Sequence, residues 1–84
     1  MVTDHQISQI LLETVKNRGP GKTICPSEVA RSISSVEAEW RSLMPQVRTI
    51  AGKLAEAGEL SITQRGIEVD IKTAKGPVRL GLPK

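Results

Sequence analysis

The order of its segments constrains this 84-residue chain more than any other feature. A short amphipathic stretch leads to a turn and a second short helical pattern, and a longer apolar stripe follows. Apolar and polar residues then alternate on both sides of Arg65-Gly66. That order is typical of a helix-turn-helix followed by a wing. We therefore predict the α+β class and a winged helix-turn-helix, a three-helix bundle with a small antiparallel β-hairpin wing, as a single domain over residues 1–84.

The composition narrows the possible functions. The single Trp, with no Phe or Tyr, argues against binding of single-stranded nucleic acid, whose bases stack on aromatic side chains. One Cys and one His cannot form an internal disulfide or a four-ligand zinc site. We therefore expect no metal and no cofactor, and a reducing cytoplasm as the compartment.

The sequence shows neither a targeting segment nor a catalytic arrangement. No basic segment leads into an apolar run at the N-terminus, and no apolar span reaches membrane length, so we expect a soluble, unexported protein with no membrane partner. Residues 19–23 end in Gly-Lys-Thr as a phosphate-binding loop does, but Lys16 stands where that motif needs glycine, and Pro26 delays the next helix. We interpret the segment as a turn that stops a helix, His5 and Cys25 as structural or solvated, and the chain as not an enzyme.

The positive charge is concentrated toward the C-terminus. The formal net charge is +3, and residues 65–84 supply all of it, with five Lys or Arg against two acids, whereas residues 1–64 carry seven of each. A basic segment suits a polyanionic partner, although lysines that keep a tail solvated explain the same charge.

Three helical regions are expected. Helix one should run from Asp4, as its cap, to about Lys16. Helix two should begin at Pro26, with Cys25 as a weak cap and Glu28 in the capping box, and end at Ser34 or Ser35. The third region covers residues 37–57 and ends at Gly58.

Pro45 interrupts the third region. Either one kinked helix spans it, or a turn ends near Leu43 and a new helix begins at Pro45. We favour the second, because proline is favourable at a helix start and costs about 3 kcal/mol in an interior.

The alternation of apolar and polar residues predicts the strands. A two-residue loop at Arg65-Gly66 places Leu60 opposite Ile71, Ile62 opposite Val69 and Gln64 opposite Ile67, with all apolar residues on one face and Ser61, Thr63, Glu68 and Asp70 on the other. Arg is a poor first residue for such a turn. Thr23 and Ile24 could add to the edge of this hairpin. Residues 78–82 could form a last strand, whose Arg79 either binds phosphate or is the exposed side of an edge strand.

Polar residues of the third helix and the wing are the candidate nucleic-acid contacts. We expect base contacts from Gln46, Arg48 and Thr49, and phosphate contacts from Arg41, Lys53 and Arg65. The competing interpretation is a solvated face on which Arg41 pairs with Glu37. Trp40 lies on the apolar stripe and is assigned to the core.

Three blocks of residues carry a specific pattern: RGPGKTICPSEVAR at 18–31, the spaced set WR..M..VR..A..L that begins at Trp40, and GPVRL at 76–80. With this pattern the chain resembles, from about Ile7 to Leu82, a mainly bacterial family of domains of unknown function predicted to be winged-helix proteins. The resemblance implies the fold and no activity. It emphasises five arginines that form either a shared anion-binding surface or salt bridges that determine the fold: Arg18, Arg31, Arg41, Arg48 and Arg79.

Two functions remain open on the sequence. The first is a double-stranded DNA-binding module with a role in transcriptional regulation, indicated by the element order and the basic wing. The alternative is a winged-helix module that binds a protein partner and no nucleic acid, indicated by the small net charge. The sequence is silent on the oligomeric state and the target.

Overall fold

Three helices and a small antiparallel sheet make up the chain in a computed structural model, which describes residues 2–83. The elements in chain order are α1 (Asp4–Arg18), β1 (Thr23–Ile24), α2 (Pro26–Ile33), α3 (Glu37–Glu56), β2 (Ser61–Gln64), β3 (Ile67–Glu68) and β4 (Arg79–Gly81). This is the predicted α+β class, and the order of elements is compatible with a winged helix. We call residues 65–78, which connect β2 to β4 and include β3, the wing loop.

The last strand lies inside the sheet. The strand order is β1-β4-β2-β3, so Thr23 pairs with Gly81 of β4 and not with the edge of the hairpin, where the sequence had placed it. Of the two alternatives left open for Arg79, the exposed side of an edge strand does not hold, because β4 has a partner on both sides. Val78 and Leu80 are fully buried, and an interior position lets this strand bury its apolar side chains while satisfying its backbone on both edges.

The hairpin register is the predicted one. Gln64 pairs with Ile67, and the Val69 amide donates to the Ile62 carbonyl over 3.0 Å. Arg65 and Gly66 have φ values of 52° and 81°, so both residues of the loop adopt the left-handed conformation of a primed turn.

The ends of the hairpin differ from the prediction. Leu60 and Ile71 do not pair, because the chain turns at Asp70, whose carbonyl accepts from the amides of Thr73 and Ala74. Ile67, next to the turn, is 71% exposed although it was assigned to the apolar face, whereas Ser61 and Thr63, assigned to the polar face, are 7% and 8% exposed.

The core is aliphatic and lies between the helices and one face of the sheet. Each helix contributes one stripe of buried side chains, as the three-and-four spacing predicts. The buried apolar residues are Ile7, Leu11, Val15, Ile24, Val29, Ala30, Val47, Ile50, Ala51, Leu54, Leu60, Ile62, Val78 and Leu80. Trp40 is half-buried and packs against this cluster, consistent with its assignment to the core.

The helix ends agree with the sequence to within two residues, and one cap was assigned wrongly. Thr3, not Asp4, caps α1: its hydroxyl accepts from the Gln6 amide over 3.1 Å, and the Gln6 side chain accepts from the Thr3 amide over 2.9 Å. This reciprocal pair satisfies two amides at the start of the helix. Helix α1 continues to Arg18, and α2 ends at Ile33 with Ser34 as its C-cap.

Pro45 does not divide α3, contrary to our preference. The helix runs without interruption from Glu37 to Glu56. Proline removes the amide that would bond the Arg41 carbonyl, and both residues lie on the exposed side, where water can take the place of that bond. Gly58, with φ of 77°, ends the helix as predicted, and the Glu59 amide donates to the Leu54 carbonyl in a Schellman pattern.

None of the helices described between residues 2 and 83 combines the length and the apolar character needed to cross a membrane.

Candidate nucleic-acid interface

The solvent side of α3 carries three of the predicted contact residues. Because the buried stripe orients α3, the remaining positions point outward: Thr49 and Lys53 are exposed and Arg48 is half-buried. The Thr49 hydroxyl donates to the Pro45 carbonyl over 2.9 Å, and its oxygen can still accept a hydrogen bond. These side chains lie within two turns of one helix and share one exposed strip.

A shallow groove runs between this strip and the wing loop. Arg48, Thr49, Lys53 and Glu56 line it from α3, and Ile71 and Lys72 line it from the wing loop. The loop approaches the helix closely at Gly52, where an added Cβ would lie 2.8 Å from the Ile71 Cγ2 atom. The glycine is therefore the position that lets the wing loop pack against α3.

The groove carries an excess of positive charge. Lys72 pairs with Glu56 over 3.1 Å, and the hydrogen bond to that carboxylate, followed by its charge, raises the pKa of Lys72. Arg48 and Lys53 have no carboxylate within 4.0 Å among residues 2–83. Three cationic side chains thus face one carboxylate, and two of the cations are uncompensated.

Arg41 lies apart from this groove and is paired. Its Nε atom donates to the Glu37 carboxylate over 3.1 Å, the local pair considered in the competing interpretation of the sequence. The guanidinium group also lies 5.0 Å from the centroid of the Trp40 ring. Its charge is partly offset, although an exposed pair of this kind stabilises the fold by at most about 1 kcal/mol.

Gln46 faces the opposite flank of α3 from Arg48. Two residues along a helix correspond to a rotation of about 200°, and Gln46 donates from Nε2 to the Asp4 carboxylate of α1 over 2.8 Å. The structure therefore gives Gln46 a contact between helices and does not group it with Arg48 and Thr49.

Arg65 lies at the tip of the wing loop and has a basic neighbour that the sequence analysis missed. Arg65 and Lys75 line the same shallow depression. The Gln64 side chain donates to the carbonyls of Lys75 and Pro77, which holds the returning chain beside β2. The surplus of positive charge in residues 65–84 was the signal for Lys75, although the turn that brings it back to Arg65 was not evident.

The remaining arginines of the family-like pattern bond within the molecule. Arg18 pairs with Glu28 over 2.6 Å, and both Arg18 and Arg79 donate to the Thr23 carbonyl, over 3.3 and 3.0 Å. The pKa of Glu28 is lowered, mainly because its carboxylate accepts a hydrogen bond from the Cys25 amide. Burial acts in the opposite direction, and the hydrogen bond and charge of Arg18 lower the pKa further. These contacts join α1, β1, α2 and β4, which favours the structural alternative for Arg18 and Arg79.

Arg31 is also engaged within the chain. It donates to the Ser27 hydroxyl over 2.8 Å, and its guanidinium lies 5.3 Å from the Trp40 ring centroid. Of the five emphasised arginines, Arg48 is the one with no such partner among residues 2–83, which separates it from the others as a candidate contact.

Comparison with known proteins identifies a family and no activity. A family model described as a protein of unknown function, DUF3253, matches residues 4–83. No curated protein matches the chain. The expected resemblance to a family of domains of unknown function is confirmed at that level, over all seven helices and strands.

Proposed function

The chain belongs to the DUF3253 family of proteins of unknown function, and on its geometry we propose that it is a double-stranded DNA-binding winged-helix module. One observation carries the proposal: on the solvent side of α3, beside the wing loop, Arg48 and Lys53 have no carboxylate of the described residues within 4.0 Å. A protruding helix with a flanking basic loop is the surface that a winged helix presents to a duplex.

The dimensions of α3 suit a major groove. Its 20 residues extend over about 30 Å at 1.5 Å per residue. The major groove is about 12 Å wide and admits one α-helix. In this arrangement Arg48 and Thr49 reach base edges, and Lys53 contacts phosphate.

The other predicted residues have secondary parts in this proposal. Arg65, with Lys75 beside it, contacts phosphate from the wing. Arg41 can reach phosphate by exchanging the Glu37 carboxylate for it. Gln46 reaches a base only after releasing Asp4, so we expect it to contribute least.

A salt-dependent titration tests the proposal. A fluorescently labelled duplex of mixed sequence is titrated with the protein at low salt, and the anisotropy measurement is repeated at increasing salt. Phosphate contacts release counterions, so each lost contact reduces the slope of log K against log salt by about 0.9. The double variant Arg48→Ala/Arg65→Ala should bind more weakly and with a smaller slope.

Lys16→Ala is the matched control, because it removes an exposed cation of α1 and leaves α3 and the wing loop unchanged. The absence of duplex binding, or equal losses in the control and the double variant, would contradict the proposal. Recovery of one stoichiometric protein partner without duplex affinity would support the alternative protein-binding module, for which the exposed Ile67 offers a contact.

A further inference from the structure

A second groove lies on the face of the sheet that is turned away from the helices. Ile62 and Leu80 point into the core. Because successive side chains of a strand point to opposite faces, Ser61, Thr63 and Gly81 form the floor of the outer face. Pro20, Gly21 and Lys22 form one wall above this floor. We call this the hydroxyl groove.

Among residues 2–83, the two hydroxyls of the floor have no hydrogen-bond partner. Ser61 and Thr63 are both more than nine-tenths buried, and neither hydroxyl makes a hydrogen bond to another group of residues 2–83. Every fully enclosed polar side-chain atom in that part of the chain does have a partner, so these two oxygens must open into the groove. Water in the groove can therefore reach both oxygens, and a ligand that enters the groove can take the place of that water.

The spacing of the hydroxyls excludes their bonding to each other. Two residues along a strand correspond to about 7 Å at about 3.4 Å per residue. One hydrogen bond spans about 2.8 Å. A ligand that presents several oxygens can accept from both hydroxyls at once, whereas a single acceptor atom cannot.

The wall of the groove adds a cation. The turn at residues 19–23 does stop α1, as predicted: Gly19 and Gly21 have φ values of 99° and 75°. It also packs closely against β4, where an added Cβ at Gly81 would lie 3.1 Å from the Lys22 carbonyl oxygen. Lys22 is exposed and has no carboxylate within 4.0 Å among residues 2–83, and it is the charged residue that lines this groove.

We propose that the hydroxyl groove binds a phosphate group, held by the hydroxyls of Ser61 and Thr63 and the ammonium group of Lys22. All three groups can donate to an anion, and a tetrahedral oxyanion offers oxygens in the directions that the separated donors require. Pro20, Leu82 and Pro83 give the groove apolar walls that suit the organic part of a phosphate ester. The three proposed donors belong neither to α3 nor to the wing loop, although Gly66 of the wing loop also lines the groove, so the phosphate proposal does not depend on the duplex proposal.

A titration with inorganic phosphate tests the proposal. Backbone amide shifts are followed by two-dimensional NMR on the ¹⁵N-labelled full chain, against sodium chloride at matched ionic strength. We expect saturable shifts confined to residues 20–23, 61–63 and 81–82. The double variant Ser61→Ala/Thr63→Val should weaken binding by about tenfold or more, as expected for the loss of two donors.

Stability separates a binding role from a structural one. Since the two hydroxyls make no hydrogen bond to the described part of the chain, the double variant should keep the melting temperature of the parent. Lys22→Gln, on an exposed turn, is a second variant that cannot disturb the core, and Lys16→Gln is its control on α1. We expect Lys22→Gln alone of these two to weaken phosphate binding.

A short duplex distinguishes the source of the phosphate. If the duplex shifts only residues of α3 and the wing loop, while inorganic phosphate shifts the hydroxyl groove, the natural ligand of the groove is a small phosphate compound. If both ligands shift the hydroxyl groove, the phosphate comes from the DNA backbone. Shifts no larger than those in sodium chloride, or equal shifts in the parent and the double variant, overturn the proposal. Failure of duplex binding alone leaves the phosphate result unaffected and removes only the duplex proposal.

Discussion

Replacement of Gly52 by alanine should destabilise the parent chain, and the same replacement should stabilise a variant in which Ile71 is already alanine. Gly52 is buried in α3, and its Cβ would lie 2.8 Å from the Ile71 Cγ2 atom. Carbon atoms in good contact lie about 3.5–4.0 Å apart, so the wing loop must move by about 1 Å. The Cγ2 methyl is attached directly to the β-carbon of Ile71, and it cannot retreat without moving the backbone or changing the rotamer.

Two opposing effects set the magnitude. Alanine is favoured over glycine in a helix interior by about 1 kcal/mol. Overpacking costs about 1–3 kcal/mol, so Gly52→Ala should lower the free energy of unfolding by about 1 kcal/mol in the parent chain. In an Ile71→Ala background the clash is absent, and the same change should raise that free energy by up to about 1 kcal/mol.

Urea-induced unfolding of the parent, both single variants and the double variant measures this cycle. Fluorescence of Trp40, the single tryptophan of the chain, and far-ultraviolet circular dichroism provide two probes of a two-state transition. We expect a coupling of about 2 kcal/mol between the sites, since they are in contact. Additivity within about 0.5 kcal/mol, or stabilisation by Gly52→Ala in the parent chain, would refute the close packing of the wing loop on α3.

Three further changes test the fold. Leu11→Ala removes a fully buried side chain and should lower the free energy of unfolding in urea by about 2–5 kcal/mol; a loss below 1 kcal/mol would contradict its place in the core. Thr3→Ala should lower the free energy of unfolding by about 1 kcal/mol through loss of the α1 cap. Asp4→Ala, measured by the same unfolding in urea, should lower it by less. The pKa of Glu28 is lowered in the folded chain, so its stabilisation is present above the ordinary value of 4.5 and is lost as the pH falls through the folded value. The melting temperatures of the parent and Glu28→Gln should therefore differ at pH 7 and converge in acid, and a constant difference across this range would oppose the assignment.

Local patterns in the sequence were sufficient for α1 and α2, to within two residues at their ends, and for the hairpin register. The alternation around Arg65-Gly66 admits one register that keeps Ile62 and Val69 on the same face, and a register slip would invert every side chain. The pairing of Arg41 with Glu37 was likewise visible, because residues four apart are neighbours on a helix.

Features that depend on distant residues could not be predicted in the same way. The continuity of α3 through Pro45 depends on which side of the helix meets water, which only the packed structure defines. The contact of Gln46 with Asp4 joins residues 42 positions apart. The central place of β4 depends on pairing with two strands far from it in the sequence, and neither alternation nor turn residues specify such partners.

The interior place of β4 makes completion of the sheet a late event in synthesis. β1 is joined to the rest of the sheet through β4 alone. Thr23 and Ile24 therefore have no strand to pair with until residues 79–81 have left the ribosome. Until then the nascent chain exposes an open edge on β2 together with the apolar side chains that Leu80 later covers, and such edges invite association with other chains. A chain truncated before Arg79 should consequently leave β1 without its strand partner and be sensitive to proteases.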